Sequence, residues 1–198
     1  MTSGKIRETA LRHFAKNGYE GASLADISAE VGIKKQSIYA HYKGKDDLFL
    51  AVFSEVAAKE LQFVEAYLKQ SGGMSPDKLL LGFLLGYKER YEQRDDTKFF
   101  LRMAFFPPGH LQREIVEYGN QYLDQLELLL MPIFAAAARS GQIHPDVSIE
   151  RAAAAFTAVM DGMFVEMLYG GLERSMKRLD ASWFIFWRGI QNIKEGHT

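Results

Sequence analysis

The residues best suited to chemistry lie between Lys34 and Lys45, a stretch that holds four lysines and no carboxylate. Lysine ammonium groups neutralise nucleic-acid phosphates, and the lack of acidic neighbours leaves their positive charge uncancelled. Gln36 lies in the same stretch, and a glutamine amide can form two hydrogen bonds with adenine in the major groove. The stretch therefore predicts contact with duplex DNA at a half-site that contains A·T pairs.

Two short helices joined by a glycine turn must position these side chains, as in helix-turn-helix proteins. Ser23 can cap the first helix, in which apolar residues recur at helical spacing. Gly32 follows where the chain must turn sharply, and we expect a positive φ angle there. In the second helix Ile38 and Tyr42 lie four residues apart and face the core, whereas Tyr39 faces the DNA.

Each of these residues also has a purely structural interpretation. Ser23 and Gly32 would serve any helical hairpin, and lysines usually solvate a surface. A structural role alone does not explain why a glycine turn, a polar exposed face and a basic run coincide in one segment. Their coincidence favours DNA binding.

Residues spaced along the first quarter of the chain resemble the N-terminal signature of TetR-type regulators. The matching residues are Ile6, Ala10, Phe14, Gly18, Tyr19, Ser23, Ile27, Gly32, Ile38, Tyr39, Tyr42, Lys43, Lys45 and Leu48. Many spaced positions match together, so the resemblance is more specific than a bare helix-turn-helix pattern. Beyond about residue 55 the resemblance is only architectural.

The resemblance implies an all-α homodimer that binds a palindromic double-stranded DNA operator. Residues 1–46 would form the helix-turn-helix DNA-binding domain, and residues 47–198 a helical domain for ligand binding and dimerisation. Some side chains would hold phosphates and others would face bases at the start of the recognition helix. The residues assigned to DNA are Ser23, Lys34, Lys35, Gln36, Ser37, Tyr39, His41, Lys43 and Lys45.

Two of these positions depart from the usual pattern of the family. Lys34 stands where a capping Ser is common, and Gln36 stands where Gly is common. Lys34 cannot cap the recognition helix and places a cation near the positive end of the helix dipole, where a nearby phosphate would relieve the repulsion. These two positions are where we expect the operator preference of this chain to arise.

Composition limits the remaining possibilities. The chain has 198 residues, 47% of them hydrophobic, and no cysteine, so it can bury a sizeable core and has no disulfide or thiolate metal site. No metal or cofactor is expected. The longest apolar run, Leu128 to Ala138, is too short to span a membrane and is interrupted by Pro132, which predicts a buried, kinked helix in a cytoplasmic protein.

Glycine, proline and capping residues divide the chain into about nine helices, and no segment shows sustained strand alternation. We expect the first helix near residues 3–17 and a long fourth helix over Lys45–Lys69. Ser148 can cap the eighth helix, and Gly170 and Gly171 can end it. The predicted fold class is all-α.

Methionine and aromatic side chains crowd the helices that follow the head. Most must be core, but tyrosines and methionines also suit a pocket because they combine apolar bulk with a polar tip or adaptability. The pocket candidates are Phe83, Tyr87, Tyr91, Met103, Phe106, Tyr118, Tyr122, Met160, Phe164 and Met167. Their composition predicts a small lipophilic effector.

Three carboxylates, Glu127, Asp161 and Glu166, lie among these apolar faces. In a pocket they would attract a cationic ligand, but we expect them to face solvent or the seam between two chains. The sequence leaves a lipophilic cation and a fatty-acyl or aromatic anion equally open.

The resemblance implies that the last two helices form the dimer interface and that ligand relieves repression. Small and apolar residues near residue 155 suit close helix contacts, and two tryptophans four residues apart can anchor them. The predicted interface residues are Phe156, Val159, Met163, Trp183 and Trp187.

Two other classes of protein compete with a DNA-binding regulator. An α-helical enzyme would need clustered acid–base or metal-ligating groups, but the five histidines are scattered, and His110 with Glu114 is a lone pair without a third ligand. A helical interaction module without DNA is the second alternative. Loss of duplex binding on Lys35→Ala and Tyr39→Ala would exclude that alternative.

Overall fold

The computed structural model describes residues 2–192, and within this range the chain is all-α. The nine helices within residues 2–192 are α1 Thr2–Gly21, α2 Leu24–Val31, α3 Lys35–Tyr39, α4 Lys45–Gln70, α5 Pro76–Gln93, α6 Asp95–Phe105, α7 Gln112–Arg139, α8 Ile149–Tyr169 and α9 Gly171–Ile190. A 3₁₀ turn, Gly109–Leu111, precedes α7, and an isolated bridge joins Ile143 to Gln191. The predicted fold class is confirmed.

The capping residues identified from the sequence begin and end the helices where expected. The Ser23 Oγ accepts a hydrogen bond from the Asp26 N–H at 3.1 Å, and the Ser148 Oγ accepts one from the Arg151 N–H at 3.2 Å. Gly32 has φ 82°, a left-handed conformation that a side chain would strain. Local chemistry therefore sets the boundaries of α2 and the start of α8.

Two helices differ from their predicted form. α1 continues to Gly21 through a break at Gly18, where φ is 71°. α7 continues through Pro132, and Leu128 is 65% exposed, so the prediction of a buried segment here is wrong. The apolar run from Leu128 to Ala138 contributes only some of its side chains to the core, because a helix turns the others outward.

The described residues form two compact units. The first comprises residues up to Gln62 together with Arg90–Tyr122, and the second comprises Phe63–Glu89 and the residues from Leu123 onward. The division predicted at residue 46 concerns DNA binding rather than packing, and it stays a prediction.

Aromatic rings form the core of the first unit. The centroid of the Phe14 ring lies 5.0 Å from that of Phe49, edge to face, and Phe49 lies 5.7 Å from Phe99. Phe53 stacks on Phe100 at 5.4 Å. These ring contacts join α1, α4 and α6 into the core that supports the helix-turn-helix segment.

The second unit has its own aromatic core. The ring centroids of Phe83 and Tyr87, both on α5, lie 5.9 Å apart, and those of Tyr87 and Phe164 of α8 lie 4.7 Å apart. Among the described residues, α8 is the one helix long and apolar enough to cross a membrane, but half of its apolar window is buried in this unit. That burial is expected of a core helix.

Candidate nucleic-acid interface

The helix α1 fixes α2 through polar contacts at the protein surface. The Lys5 Nζ donates to the Val31 carbonyl at 3.1 Å, at the end of α2. Glu30 of α2 pairs with Arg12 at 2.7 Å and with His13 at 2.7 Å. The hydrogen bond from Arg12, followed by that from His13, lowers the pKa of Glu30. These contacts fix the position of α2 against α1.

The helix α3 is anchored at its carboxyl end. Ile38 and Tyr42 are buried, as predicted. The Tyr42 hydroxyl accepts a hydrogen bond from Arg7 Nη1 at 3.0 Å and lies 2.9 Å from the Ser3 Oγ. Arg7 also pairs with Glu55 of α4. α3 has only five residues, so these tertiary contacts rather than its own hydrogen bonds must stabilise it.

The opposite side of α3 presents hydrogen-bonding and cationic groups to solvent. Tyr39 is 52% exposed, in contrast to buried Tyr42, so the two tyrosines take the predicted sides. Ser37 is half-buried. The predicted DNA residues that are exposed are Lys34, Lys35, Gln36, Tyr39, His41 and Lys43. These six side chains lie on one basic surface, formed by residues 34–45.

Lys34 precedes α3 without capping it. No side-chain hydrogen bond caps the helix at this residue, as the sequence predicts. The Ser37 N–H instead donates to the Lys34 carbonyl at 2.8 Å. The Lys34 ammonium group therefore remains on the exposed surface beside the start of α3.

Ser23 and Lys45, the predicted phosphate holders, both have partners within the protein. The Ser23 Oγ donates to Asp26 Oδ2 at 2.6 Å. The Lys45 Nζ lies 4.2 Å from the centroid of the Tyr19 ring and 3.4 Å from the Glu20 carbonyl. Lys45 is therefore held against α1 rather than extended into solvent.

Sequence reasoning missed the residues that surround Lys45. The Tyr19 hydroxyl donates to Asp46, and His110 Nε2 lies 3.3 Å from the Tyr19 oxygen and 3.5 Å from Asp46 Oδ1. The hydrogen bond from Tyr19 lowers the pKa of Asp46, and burial raises the pKa of Tyr19. Tyr19 belonged to the family signature, but His110 is 91 residues away and no sequence pattern links it to the head.

The predicted ligand residues divide between the two units. Those in the second unit, all buried, are Phe83, Tyr87, Met160, Phe164 and Met167. Those in the first unit are Tyr91, Met103, Phe106, Tyr118 and Tyr122. Phe106 is 46% exposed at the end of α6, so it lies on the surface rather than in a pocket. Helical spacing identifies the apolar face of each helix, but it does not show which of these faces pack into the same core.

A groove of about 570 Å³ runs along the first unit between α1, α4 and α7. Its lining includes Arg7, Asp47, Glu55 and Tyr118. The lining is as polar as it is apolar in residue type and contains a single predicted ligand residue, Tyr118. This groove does not match the predicted lipophilic pocket.

The predicted interface residues fall into two groups. Phe156 and Met163 are buried within their own chain, so they are core residues and the prediction that they contact a partner directly is corrected. Val159 is half-buried. Trp183 and Trp187 are half-buried and stack on each other at 5.7 Å. Their neighbours on α9, Phe184 and Ile185, are 58% and 68% exposed.

The carboxylates of the second unit also correct an expectation. Glu166 does not face solvent: it is buried at the end of α8 and pairs with Arg174 and Arg178 of α9. Asp161 is half-buried, and this burial raises its pKa. Glu166 therefore joins two helices of its own unit.

No cluster of three or more histidine or acidic side chains suited to a metal ion occurs within residues 2–192.

Residues 6–52 match the family model of bacterial regulatory proteins of the tetR family. That range contains α2, α3 and every residue assigned above to DNA. The match thus covers the part of the chain whose exposed face is basic.

Relatives over nearly the whole chain are regulators. The chain is 25% identical to the HTH-type transcriptional repressor AcnR of Corynebacterium diphtheriae, over 90% of this chain and 87% of that protein. It is 24% identical to the uncharacterized HTH-type transcriptional regulator YvkB of Bacillus subtilis, over 96% and 97% of the two chains. These relatives are transcriptional regulators rather than enzymes.

A solved structure shares the fold. The transcriptional regulator FadR from Bacillus subtilis, in complex with stearoyl-CoA, matches with a TM-score of 0.72 over 94% of this chain and 98% of that chain. The sequence identity is 16%, so this likeness concerns the fold alone.

Proposed function

We propose that this chain is a TetR-type transcriptional regulator and that it represses transcription by binding a palindromic operator as a homodimer in the cytoplasm. A small lipophilic ligand releases it from the DNA. The observation that carries the proposal is the basic surface of residues 34–45, most of whose polar side chains are exposed while Ile38 and Tyr42 are buried in the core.

On this proposal the side chains of the basic surface have two kinds of role. Lys35, Gln36 and Ser37, at the amino end of α3, contact bases. Lys34, Tyr39, His41 and Lys43, with Ser23 and Lys45, contact the sugar-phosphate backbone. Backbone contacts set the register of the protein on the duplex, and the base contacts select the sequence.

Dimerisation would present two recognition helices to one face of the DNA. Two such helices must lie about 34–36 Å apart to enter successive major grooves, which requires a near-palindromic site. We assign the interface to α8 and α9. Exposed apolar side chains on these helices, Val165, Tyr169, Phe184 and Ile185, support the assignment because a single chain leaves them in water.

The effector would bind in the domain of residues 47–198. The buried aromatic and methionine side chains of the second unit support a lipophilic ligand. FadR, which shares the fold, is bound to stearoyl-CoA, an acyl compound, in its solved structure. The long helix α4 contributes residues to both units and would carry the effect of ligand to α3. A coupling free energy of about 1–3 kcal/mol would weaken DNA binding roughly 5–150-fold.

Selection of bound sequences from a random pool of duplex DNA tests the proposal. We expect enrichment of a palindrome with A·T pairs in each half-site, bound by two chains per site. Candidate lipophiles, including a long-chain acyl compound and a lipophilic cation, are then added to the same binding reaction, and one class should release the DNA. Enrichment of no palindrome would contradict operator binding, and release by neither class would contradict the proposed effector.

A further inference from the structure

We infer that His110 is a positioning residue for DNA binding: through Tyr19 and Asp46 it holds Lys45 where Lys45 contacts the DNA backbone. The inference rests on the proposed function, because it takes Lys45 to be a phosphate contact. His110 belongs to the 3₁₀ turn Gly109–Leu111, outside the helix-turn-helix segment and outside residues 6–52, so nothing in the family match assigns it a role.

The Tyr19 ring is the surface on which Lys45 lies. The Lys45 Nζ stands 4.2 Å from the ring centroid, within the range of a cation–π contact. A lysine side chain has four rotatable bonds, so an exposed lysine samples many positions. The contact with Tyr19, with the long hydrogen bond to the Glu20 carbonyl at 3.4 Å, selects one of them.

Two groups fix the Tyr19 ring from its hydroxyl end. The hydroxyl hydrogen is donated to Asp46, which leaves a lone pair on the oxygen to accept a hydrogen bond. His110 Nε2, at 3.3 Å, is the donor placed to supply it. The same nitrogen lies 3.5 Å from Asp46 Oδ1, and the two rings meet at 5.0 Å with an interplanar angle of 61°. His110 thus closes a three-membered polar cluster, Tyr19–Asp46–His110.

The position of His110 is set by the core rather than by solvent. Leu111, the next residue, is buried. α6, which ends shortly before the turn, packs its Phe99 ring against Phe14 and Phe49. The Tyr19 ring contacts the same two residues, at 6.3 and 5.1 Å. A displacement of the turn between α6 and α7 would therefore be passed to Lys45 through the polar cluster.

A competing role for His110 is direct contact with a phosphate, and the salt dependence of DNA binding separates the two roles. Each phosphate contact that is lost lowers the slope of log K against log [salt] by about 0.9. If His110 acts through Lys45, removing both side chains costs one phosphate contact per chain. If His110 touches a phosphate itself, removing both costs two per chain.

The experiment measures this slope at NaCl concentrations from about 50 to 300 mM, where phosphate contacts dominate the salt dependence, for wild type, Lys45→Ala, His110→Ala, the double variant and His110→Gln. The probe is a duplex that carries the palindrome enriched in the selection above. Because two chains bind each palindrome, we expect Lys45→Ala and His110→Ala each to lower the slope by up to about 1.8, or about 0.9 per chain, and the double variant to lower it no further. His110→Gln, whose amide can still donate to the Tyr19 oxygen, should keep the wild-type slope.

The outcomes separate the inference from the proposed function. An unchanged slope in Lys45→Ala would remove Lys45 from the proposed DNA contacts, and the inference with it. A lowered slope in Lys45→Ala with a wild-type slope in His110→Ala would overturn the inference alone. An additive loss in the double variant would make His110 a phosphate contact and also overturn it.

Tyr19→Phe provides a second test that does not depend on how His110→Ala folds. It keeps the ring beneath Lys45 but removes the hydroxyl that Asp46 and His110 hold. We expect a smaller loss of slope than in Lys45→Ala, and no further loss when His110→Ala is added. If His110→Ala lowers the slope equally in the wild-type and the Tyr19→Phe proteins, His110 does not act on Lys45 through Tyr19. Thermal unfolding of each variant shows that the fold is retained.

Discussion

Gln36 is exposed beside two lysines at the start of α3, where we propose that it contacts a base. A bidentate pair with adenine contributes about 1–3 kcal/mol of discrimination against another base. We expect Gln36→Ala to lose roughly that preference, measured as the ratio of affinities for the selected duplex and for one with a single A·T pair of each half-site replaced by G·C.

The matched control for this prediction is Gln121→Ala, an exposed glutamine on α7 outside the basic surface. It should leave the ratio unchanged. A Gln36→Ala protein that discriminates as well as wild type would show that other residues choose the sequence.

Asp161 is half-buried on α8, and burial raises its pKa. A carboxyl group whose folded-state pKa lies above its unfolded value opposes folding while it is ionised, and the penalty fades as pH falls through the raised pKa. We expect Asp161→Asn to raise the midpoint of urea unfolding at neutral pH, and the gain to shrink as the pH falls toward about 4, the ordinary pKa of an aspartate.

Asp124→Asn, at an exposed position of α7, is the control and should shift the midpoint little at either pH. If Asp161→Asn raised the unfolding midpoint as much in acid as at neutral pH, the stabilisation would not come from removing a buried charge. It would then come from better packing of the amide.

At the scale of single residues, the sequence predicted burial and capping better than partners. Tyr39 and Tyr42 differ in exposure because helical spacing puts them on different faces, which the sequence contains. Glu166 was expected to face solvent or the seam between two chains, but it is buried within its own chain, where Arg174 and Arg178 from another helix compensate its charge. Such compensation depends on tertiary structure and leaves no local pattern.

At the scale of elements, α5 carries a glycine that its neighbour requires. A methyl group at Gly82 would lie 2.4 Å from the Tyr67 hydroxyl oxygen, which donates to the Leu79 carbonyl at 3.1 Å. Gly82→Ala must displace Tyr67 and break that hydrogen bond. We expect a loss of about 1–3 kcal/mol in the free energy of unfolding, offset in part by the helix propensity of alanine, about 1 kcal/mol. Urea unfolding measures the difference.

Gly86, one turn later in α5, is the matched control. A methyl group at Gly86 would have the Phe63 ring as its nearest neighbour, at 3.7 Å, which is an ordinary contact. Gly86→Ala should therefore be neutral or stabilising. If both variants were equally stable, the close approach of Tyr67 to Gly82 would have no energetic weight.

The elements themselves were largely predictable. Ser23, Gly32 and Ser148 marked helix ends through local hydrogen bonds and a left-handed turn, so they could be recognised without tertiary knowledge. The grouping of aromatic faces was not predictable, because Tyr87 and Tyr91 share a helix yet fall in different packing units. Periodicity identifies the apolar face of a helix but not the helix that packs against that face.

At the scale of the whole molecule, the proposed dimer depends on exposed apolar side chains of α9. A charge at Ile185, which is 68% exposed, would be carried without cost in a single chain but would be desolvated in an interface. We expect Ile185→Glu to give a folded monomer at micromolar concentration by sedimentation equilibrium and to bind the palindrome far more weakly than wild type.

Met74→Glu is the control, since Met74 is 55% exposed in the segment before α5 and outside the proposed interface. It should remain a dimer. A dimeric Ile185→Glu protein would place the interface on a different face.

The central claim is that the basic surface of residues 34–45 binds duplex DNA. The most direct test is fluorescence anisotropy of a labelled palindromic duplex titrated with wild type, Lys35→Ala, Tyr39→Ala and, as a control, Lys78→Ala, an exposed lysine on α5. We expect Lys35→Ala and Tyr39→Ala each to weaken binding and Lys78→Ala to bind as wild type. Unchanged affinity in both Lys35→Ala and Tyr39→Ala would contradict the central claim.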